Sequence, residues 1–94
     1  MSYFVYILEC ANQALYTGIT TDLERRFAEH KGGKGARYTS ANPPIRIRYS
    51  EKKTTRSAAL KREAQIKSWS RTKKIALIKG AKGILKAAAR YRSR

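Results

Sequence analysis

Cysteine is almost absent: Cys10 is the only one in 94 residues, which excludes a disulfide framework and a thiolate metal cluster. No apolar run approaches the roughly 18 residues needed to cross a bilayer. The opening Met1-Ser2-Tyr3-Phe4 lacks the basic, apolar and small-residue parts of a signal peptide. A cytoplasmic protein is therefore expected. A P-loop is missing too, because Lys34 is followed by Gly35 where that motif needs Ser or Thr. There is no internal repeat and no linker long enough to separate two domains. Acidic residues are the scarcest class relative to their counterparts, with 6 Asp and Glu against 22 Lys and Arg.

What is present is positive charge. A formal +16 on so short a chain far exceeds the net charge of about 2–8 that keeps a small domain soluble. Self-repulsion of that size costs stability, and a polyanion compensates it. Phosphate backbones also reward binding through counterion release. A merely soluble basic surface and an anionic membrane are the competing readings. The charge is spread along the whole chain, which favours nucleic acid, with DNA favoured over RNA and no membrane.

Periodicity predicts the elements. Tyr3-Phe4-Val5-Tyr6-Ile7-Leu8 is apolar on both alternating faces and reads as a central strand. Leu15 to Thr20 is a second strand, antiparallel to the first across a short break. Gly18 within it suggests a bulge or a close approach by a ligand. Thr21-Asp22-Leu23-Glu24 offers a capping box for a helix that runs to about Lys31 and stops at Gly32-Gly33. A basic, flexible loop follows through Thr39. Pro43-Pro44 opens a third strand, in which Ile45, Ile47 and Tyr49 face inward and Arg46 and Arg48 outward. Helices are expected from Arg56 to Trp69, capped by Thr54 or Thr55, and from Arg71 to Lys79, capped by Ser70 and ended by Gly80. A last basic helix, Lys82 to Arg90, would carry Lys82, Lys86 and Arg90 on one stripe. The order is β-β-α-β-α-α, an α+β domain.

Two helices carry charge where apolar residues belong. Leu23 and Phe27 fix the inward side of the first, yet the same stripe holds Arg26 and His30. Ala59 and Ile66 mark the inward face of the second, with Glu63 between them. A buried lone charge is expensive, so such groups are paired, coordinated or lining a cleft. Together with Tyr6 and Tyr16 they suit phosphodiester cleavage. An arginine forks onto phosphate oxygens. A carboxylate holds one Mg²⁺, which takes its remaining ligands from water and substrate. A tyrosine or histidine moves protons, and a dense positive field should lower a phenol's pKa. The plainer readings stay open: Arg26 paired with Glu63, His30 favouring a helix dipole, and both tyrosines as core aromatics. The segment Lys31 to Gly35 is either a phosphate-hugging loop or a simple connection.

Val5-Tyr6-Ile7, followed by Tyr16-Thr17-Gly18, resembles the two half-motifs of the GIY-YIG nuclease family, although the first reads Phe4-Val5-Tyr6 where the family has Gly-Ile-Tyr. Arg26, His30 and Glu63 extend the match over roughly residues 3 to 79. Gly33-Lys34-Gly35-Ala36-Arg37-Tyr38-Thr39 is similar to the small, stand-alone YhbQ-like branch. The resemblance implies a three-stranded antiparallel sheet flanked by helices over residues 1–80, with 81–94 as a basic extension. It implies a metal-dependent endonuclease, structure-specific and related to repair or recombination. Glu63 would hold one Mg²⁺ or Mn²⁺, Tyr16 would act as general base, and Arg26 would stabilise the phosphate. Tyr6 and His30 would position water or assist the leaving group. Lys31, Lys34, Arg37, Tyr38, Arg46, Arg48, Lys67, Lys82, Lys86 and Arg90 are the candidate nucleic-acid contacts. The alternatives are a non-catalytic binding module and an interaction protein; a separate targeting partner would fit the lack of a specificity domain.

One geometric demand follows for the hairpin. Tyr6 and Tyr16 face the same cleft only if paired residue numbers sum to an even value. This requires an odd-length connection or a bulge between the two strands.

Overall fold

In the computed structural model, residues 1–80 are described. The strands are β1 (Tyr3–Cys10), β2 (Leu15–Thr20) and β3 (Pro44–Lys53). The helices are α1 (Leu23–Lys31), α2 (Arg37–Ala41) and α3 (Arg56–Lys67), followed by a helical run over 71–80. The three strands form one antiparallel sheet in the order β2-β1-β3. β1 is central because it is apolar on both faces: Val5, Tyr6, Ile7 and Leu8 are all buried. Val5 and Ile7 pack with Ala59, Ile66 and Ile78 in the core between the sheet and the C-terminal helices. Tyr6 points from the opposite face toward α1.

The hairpin meets the geometric demand. Tyr6 lies opposite Gly18 and Leu8 opposite Tyr16, so both tyrosines share a face. The Cys10 amide donates to the Ala14 carbonyl at 2.9 Å, which leaves Ala11, Asn12 and Gln13 as an odd-length loop. Gln13 takes the left-handed conformation that closes it (φ 69°).

Several local expectations are corrected. The N-cap of α1 is Asp22, whose side chain accepts from the Arg25 amide at 3.1 Å, so Thr21 and Glu24 form no capping box. As expected, α1 runs to Lys31 and stops at Gly32-Gly33, closed by a Schellman turn with Lys34 N donating to Glu29 O and Gly33 at φ 78°. The expected flexible loop contains the short helix α2, which adds an element to the β-β-α-β-α-α order. Thr55 caps α3, which ends at Lys67 and leaves Trp69 beyond it. Ser70 Oγ does accept from the Lys73 amide, but helix continues through Gly80 instead of stopping before it. Residues 81–94, with the expected last helix and Lys82, Lys86 and Arg90, lie outside the described residues.

β3 departs most from a simple alternation. Its register against β1 shifts between Ile7 and Leu8 and again between Glu9 and Cys10. Each shift inserts one extra residue and turns the following side chains to the other face. Ile45 and Ile47 are consequently exposed, at 51% and 37%, where an inward placement was expected. Arg46 and Arg48 converge on one carboxylate, Glu9, at 3.1 and 2.7 Å.

Candidate active site

Tyr6 crosses the sheet face over Gly18. A Cβ on Gly18 would stand 2.5 Å from the Tyr6 hydroxyl, so glycine serves a close approach by the chain's own tyrosine and not a bulge. The Tyr6 hydroxyl then meets His30 Nε2 at 2.8 Å. His30 is fully buried, and its Nδ1 lies 2.6 Å from Thr39 Oγ1 on α2. The His30 ring abuts the backbone of Gly35, where a Cβ would collide with the imidazole. Tyr16 packs edge-on against His30 with ring centroids 5.2 Å apart and stacks on Tyr38 at 6.3 Å. The Tyr38 hydroxyl accepts from Asn12 Nδ2 at 2.9 Å, which ties α2 to the hairpin loop.

Arg26, one turn before His30, bonds Glu29 through Nη1 at 3.0 Å. Its guanidinium also acts on the Tyr6 phenol, and the Glu63 carboxylate opposes it weakly. Glu63 pairs with Lys67 at 3.2 Å, and its side chain is only 18% exposed. Arg26 and Glu63 are thus not each other's salt bridge, and each bonds a neighbour on its own helix. The rotation of α3 that presents Glu63 is held by the preceding residue, because Arg62 Nε bonds both oxygens of Glu51 at 3.1 Å. An open pocket of about 320 Å³ adjoins Arg26 and brings in Arg25 and Arg56.

The electrostatics correct one expectation. The Tyr6 pKa is raised, because burial outweighs the hydrogen bonding and charge of Arg26 that would lower it. Burial also pushes the His30 pKa down, and the Arg26 charge adds to this. The ring is therefore neutral near pH 7. The unfolded chain takes up its imidazole proton near pH 6.5, before the folded one does. Stability is thus fully present above about pH 6.5 and is expected to fall as pH drops below it toward the depressed folded pKa. Urea midpoints between pH 7.5 and 5.5 should show this slope, and His30→Gln should flatten it; an equal slope in the variant would contradict a neutral buried ring.

The sequence-predicted residues divide clearly. Tyr6, Tyr16, Arg26, His30 and Tyr38 come together on one sheet face. Glu63 stands on α3, which packs through Ala59 and Ile66 against Val5 and Ile7, and its charge is the weakest of those acting on the Tyr6 phenol. Lys31, Lys34 and Arg37 are exposed on the segment around the site. Lys67 is taken up by Glu63, while Arg46 and Arg48 share Glu9 away from the tyrosines. Thr39, Gly35, Glu29 and the Glu51–Arg62 pair were missed. The Gly-Ala-Arg-Tyr-Thr run pointed at the neighbourhood of Thr39, although nothing in its spacing singled out the hydroxyl.

The sequence profile of the GIY-YIG catalytic domain matches residues 2–76. The chain belongs to the GIY-YIG family. It is 53% identical over 72 residues to a UPF0213 protein of Haloquadratum walsbyi, covering 77% of this chain and 81% of that one. It is 46% identical over 78 residues to a UPF0213 protein of Staphylococcus aureus, covering 83% and 95%. Solved folds agree. The solution NMR structure of an E. faecalis protein matches with a TM-score of 0.59 at 40% identity, over 85% of each chain. That of the UPF0213 protein from Bacillus halodurans matches at 0.55, also at 40% identity, over 84% of each. The GIY-YIG membership implies a nuclease family and contact with nucleic acid. No helix among the described residues is long and apolar enough to cross a membrane.

One divalent ion is implied by the family. No group of three or more His, Cys, Asp or Glu among the described residues could cage one. The donor set still fits Mg²⁺ or Mn²⁺ in the sparing mode: a single hard carboxylate, Glu63, with water and substrate phosphate supplying the other ligands.

Proposed function

We propose that the protein is an endonuclease that hydrolyses phosphodiester bonds, with DNA as its substrate and branched or interrupted strands preferred. The supporting observation is the separation of Arg26 and Glu63, each bonded to a neighbour on its own helix, while both act on the Tyr6 phenol. Their present partners, Glu29 and Lys67, are part-exposed side chains on the same helices, which can give way so that Arg26 turns to a phosphate and Glu63 to a cation.

Glu63 would hold the divalent ion, which when bound supplies Lewis-acid charge to the phosphate oxygens. Arg26 neutralises the charge that grows on the phosphoryl group as water attacks, its guanidinium offering N–H donors to the phosphate oxygens. Tyr16, at the rim beside Tyr38, receives or orients the water proton. Tyr6 and His30 hold the water and the phenol pair in register. The phosphorus–oxygen bond to the leaving sugar breaks, and that oxygen takes a proton from solvent or a neighbouring group. Basic charge without visible base readout favours recognition by shape, with repair or recombination as the setting.

The test incubates flaps, forks, nicked duplex and single strands with the protein and Mg²⁺ or Mn²⁺. Cleavage that vanishes with a chelator is expected, and fastest on one of the branched or interrupted substrates. A non-catalytic clamp would instead bind all of them with steep salt dependence, at about 0.9 in log–log slope per phosphate neutralised on duplex DNA, and with no metal requirement.

A further inference from the structure

The hydrogen positions in the buried chain of polar groups behind Tyr6 follow from one bond. Thr39 Oγ1 donates its single hydrogen to the Ala36 carbonyl at 3.0 Å, whose other lone pair accepts from the Ser40 amide. The same oxygen sits 2.6 Å from His30 Nδ1 and must therefore accept from it. Nδ1 carries the ring hydrogen, Nε2 is left with its lone pair, and the Tyr6 hydroxyl 2.8 Å away must donate. Both His30 and Thr39 are fully buried, so water cannot substitute for either partner.

Resting on the nuclease reading for its catalytic consequence, we propose that Thr39 is a positioning residue: it locks His30 as the Nδ1–H tautomer and so turns the Tyr6 hydroxyl hydrogen inward, leaving the phenol's lone pairs to accept from Arg26 and water. Without Thr39, an Nε2–H ring would donate to Tyr6 and rotate its hydrogen outward. The phenol would then meet the guanidinium hydrogen to hydrogen. Gly35 serves the same end, since only a residue without a Cβ lets the α1–α2 connection close over the imidazole.

His30 is the sole histidine, so long-range ¹H–¹⁵N spectra of the untagged, ring-labelled protein read its tautomer without ambiguity. The wild type is expected to show a protonated Nδ1 and a bare Nε2 at neutral pH. Thr39→Val should move the hydrogen to Nε2 and lower kcat for cleavage at least about tenfold with KM unchanged, the scale seen when a partner that orients an imidazole is removed. Thr39→Ser should restore both. A wild-type ring protonated on Nε2 would overturn the proposal. So would a Thr39→Val protein with the wild-type spectrum, with undiminished kcat, or with a loss that serine does not repair. If the valine variant fails to fold, the wild-type and Thr39→Ser spectra decide. An inert wild type would remove the nuclease reading, while the spectra would still judge the hydrogen-bond assignment on its own terms.

Discussion

Glu63→Gln is expected to abolish most metal-dependent cleavage, by at least about 100-fold or roughly 2.7 kcal/mol in the barrier, and Tyr16→Phe should do likewise. Glutamine keeps the size and the inward position of Glu63 but offers a neutral amide where a hard cation needs an anionic oxygen. It also releases Lys67, which now bonds that carboxylate at 3.2 Å. Nucleic-acid affinity should not fall, because the substitution adds one unit to a net charge already at +16. Phenylalanine at Tyr16 keeps both ring contacts, edge-on to His30 and stacked on Tyr38, and removes only the hydroxyl. Single-turnover rates alongside anisotropy titrations separate the two effects. Equal cutting by all three proteins would assign the activity to a contaminant or another site.

Gly18→Ala should damage both stability and activity. The new methyl would sit 2.5 Å from the Tyr6 oxygen and 2.7 Å from its Cζ, well inside contact distance. The Tyr6 ring is 2% exposed and is bonded at its tip, so it cannot swing aside without leaving His30 Nε2 unpartnered. Overpacking of this kind costs about 1–3 kcal/mol, and a lost buried acceptor adds to it. A urea midpoint lowered accordingly, together with a cleavage rate down by about tenfold or more in the folded fraction, is expected. Unchanged stability would mean that Tyr6 has room that the structure does not give it.

Much of this arrangement was legible before any coordinates. A strand apolar on both faces had to be central, and parity alone required an odd-length hairpin loop to bring Tyr6 and Tyr16 to one side. Glu63 betrayed itself by standing between Ala59 and Ile66, both fully buried, and His30 by sharing a stripe with Leu23 and Phe27. The losses have physical causes. α2 spans five residues with no apolar period to announce it. The β3 bulges are decided by pairing with β1, not by the local sequence, so Ile45 and Ile47 looked internal and are not. Asp22 displaced Thr21 as the cap because Thr20 and Asp22 exchange their own local hydrogen bonds, which fixes the turn one residue later. The phenol's pKa rises because desolvation outweighs the positive field, a balance that net charge alone does not reveal.

The central claim is that Glu63 receives a cation close to the Tyr6–His30 pair, and paramagnetic relaxation by Mn²⁺ reads it most directly. With an oligonucleotide held uncut by the Tyr16→Phe protein, substoichiometric Mn²⁺ should broaden the Tyr6 and His30 ring signals and the amides around Glu63, and Glu63→Gln should remove that broadening. Broadening centred on Glu9 or Glu51, or indifferent to Glu63→Gln, would contradict the account.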